Sequence, residues 1–437
     1  MENMKNTSKY LILTTLVFTM SGCSILNNLF PKKSSEDSSS NYSSSMNSSD
    51  SSSSTPFTPT SDNFNPEDSS AQAKTIKQML DANGKSNNTT TLYRITAVAQ
   101  WPKNTNYGNF DLVDSSGYVY VYGCSKNKSS ISKSGNNYTF TNDKSFSSMN
   151  IKPGDEITME GLYLWYTYPG KSYGYAEFQG YVTSVKRNGL SNIQGKNYTA
   201  SETYSGSYYN SVSGQTGSTL LTSLHNLMDS THSTYVSYSS LDSHFHSSDK
   251  YGSNVKCFYS GKSTSSYNKE HVWPQSLSGS SSTQLYGEDH GGSDIHHIRP
   301  TISDYNSKRG NSMFGPVYGS KSAIGSISYS GGGNDYYTGN VFEPADAIKG
   351  DVARIIMYMY MHYSSEIGGA SASYYGEMHI NWVMGTSPSD SWKLLREWNA
   401  DDPVSEDEKT RNEYAFSVQG NRNPFIDHPS YADAIWG

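Results

Sequence analysis

Apolar positions are concentrated near the start of the chain and then become rare. Residues 10–20 form a largely apolar run, which follows two lysines and precedes Ser-Gly-Cys at residues 21–23. This pattern is typical of an export signal, whereas a membrane-spanning helix needs ~20 apolar residues. Residues 24–70 are rich in Ser, Asn, Asp and Pro and hold too few apolar side chains to build a core. We therefore predict a signal peptide over residues 1–23 and a disordered tether over residues 24–70.

Alternating apolar and polar positions dominate the next part of the chain. The alternation is clear over residues 92–98 and 118–122, and a turn signal lies over residues 114–117 between two β-rich runs. Several such runs separated by turn residues predict about five strands. We therefore predict a small all-β domain over residues 71–188, whose order of strands and turns resembles that of OB-like barrels.

Aromatic side chains are frequent in this predicted β domain. OB barrels bind single strands by stacking bases on exposed aromatic rings. For any single ring, a place in the core or an ordinary surface position is the more frequent explanation. The candidates for a stacking platform are Trp101, Tyr107, Tyr120, Tyr122, Trp165, Tyr166 and Tyr168.

Helical spacing of apolar positions begins after a polar stretch that we predict to be a linker over residues 189–207. One helix is predicted at Leu220, Leu221, Leu224 and Leu227, and another at Val352, Ile355, Ile356 and Met359. Arg354 is expected on the polar face of the second helix. Short apolar runs at residues 235–238 and 257–259 predict strands. This mixture of helices and short strands assigns residues 208–437 to a second domain, of the α+β class.

Composition and charge exclude some functions. The 437 residues include 40 acidic and 33 basic side chains, which gives a net charge of −7. Such a chain lacks the overall basic surface of a repressor or a processive enzyme, although a local cationic cleft remains compatible with it. Three cysteines are too few for a disulfide framework. Cys124 and Cys257 form either one inter-domain disulfide or two unrelated buried thiols.

Three polar motifs in the C-terminal domain carry the candidate chemistry. They cover residues 268–274 (Asn-Lys-Glu-His-Val-Trp-Pro), 294–301 (Asp-Ile-His-His-Ile-Arg-Pro-Thr) and 306–311 (Asn-Ser-Lys-Arg-Gly-Asn). The first motif places the carboxyl group of Glu270 beside the imidazole of His271. Because neighbouring side chains of a strand point to opposite faces, a turn, a bulge or a strand edge must bring both into one cleft.

The second and third motifs predict a strand followed by a helix. The strand is expected over residues 294–298. Pro300 and Thr301 have the character of a first helical turn, and Gly310 that of a helix end. Asn306 then lies on the helix and returns to the cleft. A carboxylate, an imidazole and an amide are the groups needed by one oxygen-bound metal ion and one general base that break a phosphodiester.

These motifs, together with residues 420–429 (Gly-Asn-Arg-Asn-Pro-Phe-Ile-Asp-His-Pro), closely resemble those of the bacterial endonuclease I family of extracellular and periplasmic nucleases. The resemblance extends from about residue 208 to the C-terminus. It rests on several motifs in the same order, which makes it specific. It implies a ββα-metal nuclease domain, in which two strands and a helix hold the site.

The resemblance also implies roles for individual residues. Glu270 and Asn306 are the expected metal ligands, and His271 is the expected general base. Arg309, or Arg299 in its place, is the expected phosphate contact. The implied cofactor is one divalent cation, with Mg²⁺ first and Mn²⁺ or Ca²⁺ as alternatives, and the implied products carry 5′-phosphates. One carboxylate oxygen and one amide oxygen suit such a cation.

Other polar residues of this domain have less specific interpretations. His296 and His297 are predicted to be structural, hydrogen-bonded histidines. His244 and His246 are predicted to be structural or exposed rather than a metal pair, because no cysteine or carboxylate nearby completes a zinc site. Two interpretations stay open for three later residues, which either line a nucleic-acid groove or brace the domain through buried polar contacts. These residues are Arg411, Asn421 and Arg422.

Cys23 adds a hypothesis about localisation. Its Ser-Gly-Cys context resembles the lipobox of bacterial lipoproteins, with Met20 in place of the more usual Leu. The resemblance implies lipidation of Cys23 and anchoring at the extracellular face of the cell membrane. Plain secretion, with Cys23 incidental, is the alternative.

The sequence therefore predicts a secreted or surface-anchored nuclease, a monomer that acts with low sequence specificity on extracellular DNA and, as a second candidate substrate, RNA. The main alternative is a protein of another class, a non-catalytic surface lipoprotein that binds nucleic acid or host ligands. A metalloprotease would require a zinc motif of the His-Glu-x-x-His type, which the sequence lacks.

Overall fold

The computed structural model describes residues 59–100, 106–188, 193–277, 291–363, 380–386 and 388–437. The predicted signal peptide, Cys23, most of the predicted tether and Trp101 lie outside these described residues. Within the described ranges, no helix is both long enough and apolar enough to cross a membrane.

The N-terminal half is built from β-strands and one helix. Its elements are β1 (Thr60–Asn63), β2 (Gln72–Ala73), α1 (Ile76–Asn83), β3 (Asn88–Ala99), β4 (Asn109–Asp114), β5 (Gly117–Ser125), β6 (Ile131–Ser134), β7 (Asn137–Phe140), β8 (Glu156–Thr167) and β9 (Gly174–Arg187). All of these strands except β6 and β7 form one seven-stranded sheet. Within it, β3, β4, β5, β9 and β8 pair in a closed ring, because β8 bonds to both β3 and β9 while β5 bonds to β4 and β9.

The ring of strands surrounds a hydrophobic core. Alternate side chains of β3 are buried, among them Ile95, Ala97 and Ala99, whereas Thr96 is exposed. They pack with apolar side chains of the other strands and of α1. The period of two that predicts strands from the sequence is thus the alternation between core and solvent.

The sheet begins earlier in the chain than the sequence predicted. Strand β1 pairs with the end of β9, although all four of its side chains are exposed. Asn65 then donates side-chain hydrogen bonds to the carbonyls of Lys126 and Val182. Backbone and amide hydrogen bonds hold this segment, so the hydrophobic pattern contains no sign of it. The prediction of a tether that reaches residue 70 is therefore wrong for residues 60–63.

The end of the predicted linker is also attached to the folded part. Ile193 is buried in the main core of the C-terminal half. The backbone N–H of Gly195 donates to Glu397 at 3.0 Å, and that of Thr203 donates to the carbonyl of Asp427 at 3.1 Å. Polar contacts of this kind leave no apolar periodicity in the sequence, which is why the segment resembled a free linker.

The C-terminal half combines helices with short strands. Its helices are α2 (Gly217–Thr231), α3 (Leu241–Ser248), α4 (Ser303–Arg309), α5 (Lys349–Tyr363), α6 (Ile380–Val383), α7 (Pro388–Asp401), α8 (Glu406–Gln419), α9 (Pro424–Asp427) and α10 (Tyr431–Trp436). Its strands are β10 (Lys250–Tyr251), β11 (Asn254–Lys256), β12 (Ser263–Thr264), β13 (Asn268–His271), β14 (Ile298–Thr301), β15 (Met313–Phe314), β16 (Gly325–Ser328), β17 (Asn334–Tyr337) and β18 (Val341–Glu343). They form a three-stranded sheet β10–β12, a ribbon β13–β14 and a four-stranded sheet β15–β18–β17–β16. The predicted α+β class is confirmed.

Several elements of this half differ from the prediction. His244 and His246 lie on helix α3, a helix that the sequence patterns did not predict. Residues 257–259 follow β11 as a turn, and Tyr238 starts a short 3₁₀ helix. In each case the apolar run is too short for its periodicity to distinguish a strand from a helix or a turn.

The second strand of the motif region lies further along the chain than predicted. Strand β14 starts at Ile298 and contains Pro300 and Thr301, so these two residues do not open the helix. Proline is tolerated in a two-stranded ribbon because the missing N–H lies at an edge. Gly310 ends α4 as predicted, with a φ of 52° and an N–H that donates to the Asn306 carbonyl at 2.8 Å.

Helix α5 is buried on nearly all sides by α2, α7 and α9. Arg354 is therefore enclosed, and the prediction that it lies on a polar face is wrong. Its Nε and Nη2 atoms donate to the Glu408 carboxylate at 2.6 and 2.8 Å, and Nη1 donates to the carbonyl of Asp402 at 2.9 Å. The helix has a polar residue at this position because an ion pair crosses the core.

We expect Arg354→Met to lower the free energy of unfolding by about 3–5 kcal/mol, because it leaves the Glu408 carboxylate buried without its partner. Lys409→Met is the matched control, since it removes a cation from an exposed pair with Glu406 on α8 and is expected to change stability little. Urea unfolding followed by circular dichroism measures both. Equal unfolding midpoints for the two variants would show that the buried pair is not needed.

Candidate active site

The β13–β14 ribbon and helix α4 bring the first and third motifs together. Glu270 and His271 end β13, and Glu270 pairs with Arg299 across the ribbon. Helix α4 follows β14 after a single residue and packs against β13. Asn306 and Arg309 are three residues apart, so they share one face of α4. The scaffold is the two strands and helix that the motifs predicted, with shifted boundaries.

Glu270 is almost fully buried, with 2% of its surface exposed. Its Oε1 atom accepts a hydrogen bond from the Tyr259 hydroxyl at 2.8 Å and lies 3.5 Å from Nη1 of Arg309. Burial raises the pKa of Glu270 to about 7, although Arg309 and Tyr259 both act to lower it. The carboxylate therefore holds a proton more readily than a surface acid, and its ionised form is stabilised by a nearby cation.

His271 is held in its neutral form. Burial, together with the neighbouring His297, lowers its pKa to about 3, and backbone hydrogen bonds of Gly292 and Lys269 only partly oppose this. The ring stacks on Tyr238, with centroids 5.8 Å apart and planes inclined by 21°. Its buried Nε2 atom makes no hydrogen bond to the described protein. A neutral imidazole with an unbonded nitrogen offers a lone pair to a proton, and a pKa this far below neutral makes it a weak base.

Arg309 lies beneath the strand rather than at its surface. The side chain is fully buried and rests on the ring of Phe314 at 4.4 Å. Its Nη2 atom donates to the carbonyl of Val272 at 2.7 Å, and Nη1 donates to that of Gly310 at 2.9 Å and to that of His271 at 3.4 Å. The guanidinium thus braces the end of β13, and in this arrangement it does not face a phosphate.

Arg299 is also directed into the protein. Its Nε atom lies 3.7 Å from Asp249, its Nη2 atom lies 3.5 Å from Asp351, and its guanidinium covers the ring of Phe258 at 4.5 Å. Neither arginine predicted as the phosphate contact therefore presents its guanidinium to solvent.

Asn306 differs from these residues, because its side chain is half-buried. Its backbone takes part in α4, where its N–H donates to the carbonyl of Ile302 at 3.0 Å. The side-chain amide makes no hydrogen bond within the described residues. It is therefore available as an oxygen donor on the face of α4 that packs towards β13.

Comparison with known proteins identifies the family of this chain. The sequence profile of endonuclease I matches residues 184–430, which is more than half of the chain. The chain belongs to the endonuclease I family. It is accordingly an endonuclease, and the motifs that predicted this family from the sequence are those that form the ribbon and α4.

Individual relatives of this endonuclease I family member are also nucleases. The extracellular ribonuclease of Bacillus subtilis (strain 168) is 35% identical over 246 residues, which are 52% of this chain and 78% of that protein. The extracellular ribonuclease of Bacillus amyloliquefaciens gives the same identity and coverage. Endonuclease-1 of Buchnera aphidicola subsp. Acyrthosiphon pisum (strain APS) is 24% identical over 134 residues, which are 31% of this chain and 44% of that protein.

Endonuclease I family members are metal-dependent nucleases, and the residues of the ribbon and α4 fit a hard cation. Glu270 offers a buried carboxylate, and Asn306 offers an amide oxygen that has no hydrogen-bond partner among the described residues. Oxygen donors of this kind suit Mg²⁺, Mn²⁺ or Ca²⁺. Two further groups of His and Asp side chains approach metal-binding geometry elsewhere in the domain, namely His225, Asp229 and His362, and His232, Asp294 and His362.

His296 and His297 are structural, as predicted. The Nδ1 atom of His297 donates to the Gly291 carbonyl at 2.6 Å, and its Nε2 atom accepts from the Trp273 N–H at 2.9 Å. The Nε2 atom of His296 donates to the carbonyl of Asn421 at 3.2 Å. These bonds fix the chain on both sides of the ribbon.

The bracing interpretation of three further residues is confirmed, since all three are buried. Arg411 donates to the carbonyl of Ile298 at 2.6 Å. Arg422 donates to Asp427 at 2.6 Å, and Asn421 donates to the Tyr358 hydroxyl at 2.7 Å.

The two-thiol interpretation of the cysteines is also confirmed. Cys124 and Cys257 are both free and buried. The Sγ atom of Cys257 accepts a hydrogen bond from the N–H of Ile302 at 3.3 Å, directly before α4. This thiol therefore helps to position the start of the helix that holds Asn306.

Two site residues were missed by the sequence analysis. Tyr259 bonds to Glu270, and Tyr238 stacks on His271. Both belong to short runs that the sequence analysis assigned to strands, and nothing in their spacing relates them to the motifs. Only the fold brings these two rings to β13.

Proposed function

We propose that this endonuclease is a secreted or surface-anchored, metal-dependent enzyme that hydrolyses phosphodiester bonds of DNA and RNA with low sequence specificity. The observation that carries the proposal is the end of β13, where a buried carboxylate and a neutral imidazole with an unbonded nitrogen are neighbours. Asn306 on α4 completes the set. The relatives named extracellular ribonucleases support RNA as a substrate beside DNA.

Each of the site residues is assigned one role in the proposed reaction. Nε2 of His271 takes a proton from the attacking water, whose oxygen forms the new bond to phosphorus. The bond from phosphorus to the 3′ oxygen breaks, that oxygen takes a proton from solvent, and the other product keeps a 5′-phosphate. Glu270 and Asn306 would hold the divalent cation, which would offset the charge that develops on the phosphate and the leaving oxygen. Arg309 keeps Glu270 and the His271 backbone in place.

Export and anchoring form part of the proposal. Two relatives are named as extracellular, and the first 23 residues have the pattern of an export signal with a lipobox. Lipidation of Cys23 would then hold a monomeric enzyme at the outer face of the membrane. Recovery of the protein only inside cells, with its first residues still attached, would contradict this part.

We expect His271→Ala to reduce cleavage about 10²- to 10⁴-fold, the usual contribution of a general base. His246→Ala is the matched control, since His246 is exposed on α3. Supercoiled plasmid and single-stranded RNA are incubated with each protein, with Mg²⁺ or with EDTA, at one salt concentration because phosphate binding depends on salt. Cleavage by His271→Ala at the wild-type rate would overturn the assignment. An inactive wild-type protein would favour the non-catalytic alternative.

We expect the Mg²⁺ concentration for half-maximal activity to fall about tenfold between pH 6 and pH 8. With the pKa of Glu270 raised to about 7, roughly a tenth of the carboxylate is ionised at pH 6 and nine tenths at pH 8, and only the ionised form binds the cation. His271 stays neutral over this range, because its pKa is lowered to about 3. Mg²⁺ titrations of plasmid cleavage at each pH measure the effect. A requirement independent of pH would show that Glu270 is not a ligand.

The N-terminal β-structure is proposed to be an OB-like module that binds single-stranded nucleic acid. Its closed ring of strands, with β5 parallel to β9, supports this assignment. Six tyrosine rings form a continuous network on β5, β8, β9 and the loop between β8 and β9, with neighbouring centroids 5.2–6.3 Å apart. They are Tyr120, Tyr122, Tyr166, Tyr168, Tyr173 and Tyr175. Bases stack on such rings whatever their sequence.

Not all of the predicted stacking residues belong to this tyrosine network. Trp165 lies under Lys85, whose amino group is 5.9 Å from the ring centre, and Tyr107 lies under Lys144 at 5.2 Å. The network contains four of the candidates and adds Tyr173 and Tyr175. Tyr122, Tyr166 and Tyr173 are its exposed members.

We expect the double variant Tyr166→Ala/Tyr173→Ala to bind a single-stranded oligonucleotide about tenfold more weakly or worse, since each stacked base contributes ~1–3 kcal/mol. Tyr251→Ala is the control, because this ring is also exposed but lies on β10. Fluorescence anisotropy in EDTA measures binding without cleavage. Equal affinity for both variants would remove the tyrosine network from the binding surface.

A further inference from the structure

Helices α2 and α5 carry a cluster of histidines that the proposed reaction does not use. His225 and Asp229 are four residues apart on α2, and His362 lies in the last turn of α5, which packs against α2. Both histidines are 1% exposed, whereas the side chain of Asp229 is 36% exposed. The cluster is therefore buried on one side and open to solvent on the other.

The distances within the cluster are too long for good hydrogen bonds. Nε2 of His225 lies 3.4 Å from Oδ2 of Asp229, and Nδ1 of His362 lies 3.4 Å from Oδ1 of the same carboxylate. Both ring nitrogens are buried and make no hydrogen bond within the described residues. One donor atom from each of the three residues lies within 4.8 Å of the other two. Two buried ring nitrogens thus converge on one carboxylate without bonding to it.

The other ring nitrogens define which atoms carry lone pairs. Nδ1 of His225 lies 3.2 Å from the carbonyl of Met361, to which it donates, so Nε2 is the lone-pair nitrogen. Nε2 of His362 lies 3.1 Å from Nδ1 of His232, and the tautomer decides which of the two nitrogens donates. When Nε2 of His362 donates, the lone pair of His362 lies on Nδ1, and lone pairs of both rings face an anionic carboxylate. A metal ion between them would stabilise this arrangement, whereas without a metal ion a proton on a ring nitrogen would pair with the carboxylate.

A tetrahedral metal ion is compatible with the spacing. With zinc at about 2.1 Å from nitrogen and oxygen ligands, neighbouring ligands of a tetrahedron lie about 3.4 Å apart. The two measured nitrogen–oxygen separations have this value, and they run to the two different oxygens of Asp229, one of which would have to serve both nitrogens in the bound site. The Met361 carbonyl and His232 then act as the outer partners that orient the ligating imidazoles.

The second His and Asp group belongs to a hydrogen-bond network. Its carboxylate, Asp294, already accepts hydrogen bonds from the hydroxyls of Tyr358 and Tyr363, both at 2.6 Å, and from Gln419 at 2.9 Å. A metal ion would have to displace these bonds. Asp294 therefore serves the hydrogen-bond network rather than a metal.

We propose that His225, His362 and Asp229 bind a zinc ion that clips α2 to the end of α5, with water in the fourth position. Its imidazole ligands distinguish this site from Glu270 and Asn306, which offer only oxygen and suit a harder cation. The exposed side of Asp229 gives the ion a route from solvent. The proposal does not rest on the proposed nuclease reaction.

The first experiment measures zinc directly. The full-length protein is stripped with a chelator, incubated with zinc and desalted, and its zinc content is determined by inductively coupled plasma mass spectrometry. We expect about one zinc per chain in the wild type and also in Glu270→Gln, which lacks a ligand of the other site. A folded wild type that retains less than about a tenth of a zinc per chain would overturn the proposal.

Variants of the ligands locate the zinc. Asp229→Asn is the main variant because it keeps the shape of a partly exposed side chain, and His225→Gln is the second; both are expected to lose the zinc. Asp242→Asn, an exposed carboxylate on α3, is the matched control and is expected to keep it. Retention of a full equivalent by a folded Asp229→Asn/His225→Gln double variant would place the zinc elsewhere and contradict the assignment.

Cobalt gives a readout of geometry. Co²⁺ in a tetrahedral site of imidazole and carboxylate ligands absorbs visible light strongly, whereas six-coordinate Co²⁺ absorbs weakly. We expect strong visible bands in the wild type and in Glu270→Gln, and their loss in Asp229→Asn. Weak bands in a wild type that holds one Co²⁺ would overturn the tetrahedral site.

Discussion

The buried guanidinium of Arg309 is the interaction on which the candidate site depends. It leaves solvent completely, and its hydrogen bonds go to the backbone carbonyls of His271, Val272 and Gly310. Burying a charge is costly unless its donors are satisfied and a counter-charge is close. The Glu270 carboxylate supplies that counter-charge at 3.5 Å. The strand end, the helix end and the Glu270 carboxylate are therefore linked by one side chain.

Burial also sets the chemistry of the two neighbouring groups on β13. It favours the uncharged form of each, which raises the pKa of Glu270 and lowers that of His271. The lowered pKa keeps the His271 ring uncharged with its lone pair, and it also makes the ring a weaker base. The ionised carboxylate gains stabilisation from a cation, because Arg309 beside it is shared with three carbonyls. One physical cause thus acts on both of the residues proposed as metal ligand and general base.

Charged side chains are common inside the C-terminal half, and several of them are paired. Arg354 on α5 meets Glu408 on α8 across the core, and Arg422 meets Asp427 on α9 near the C-terminus. These ion pairs join separate segments of the chain. The histidine cluster between α2 and α5 differs from them, because two buried ring nitrogens face a carboxylate without a hydrogen bond within the described residues.

The sequence by itself determined the family and the α+β class, and it supplied the residues proposed for the site. Glu270, His271 and Asn306 could be proposed because their chemistry is local, carried by short motifs in a fixed order. Regular strands of the β-ring were also predictable, since their burial alternates with a period of two. These features depend on neighbours along the chain, which a single sequence contains.

Tertiary structure alone decided which polar residues are buried and what they contact. Nothing in the sequence distinguishes Arg309, Arg299 and Arg354 from surface arginines. They are buried because segments distant in the sequence pack over them. The contacts of Tyr259 with Glu270 and of Tyr238 with His271 join residues whose spacing has no period. Strand β1 is held by backbone hydrogen bonds to a partner more than 120 positions away. Burial and long-range pairing depend on the whole chain, so no local pattern records them.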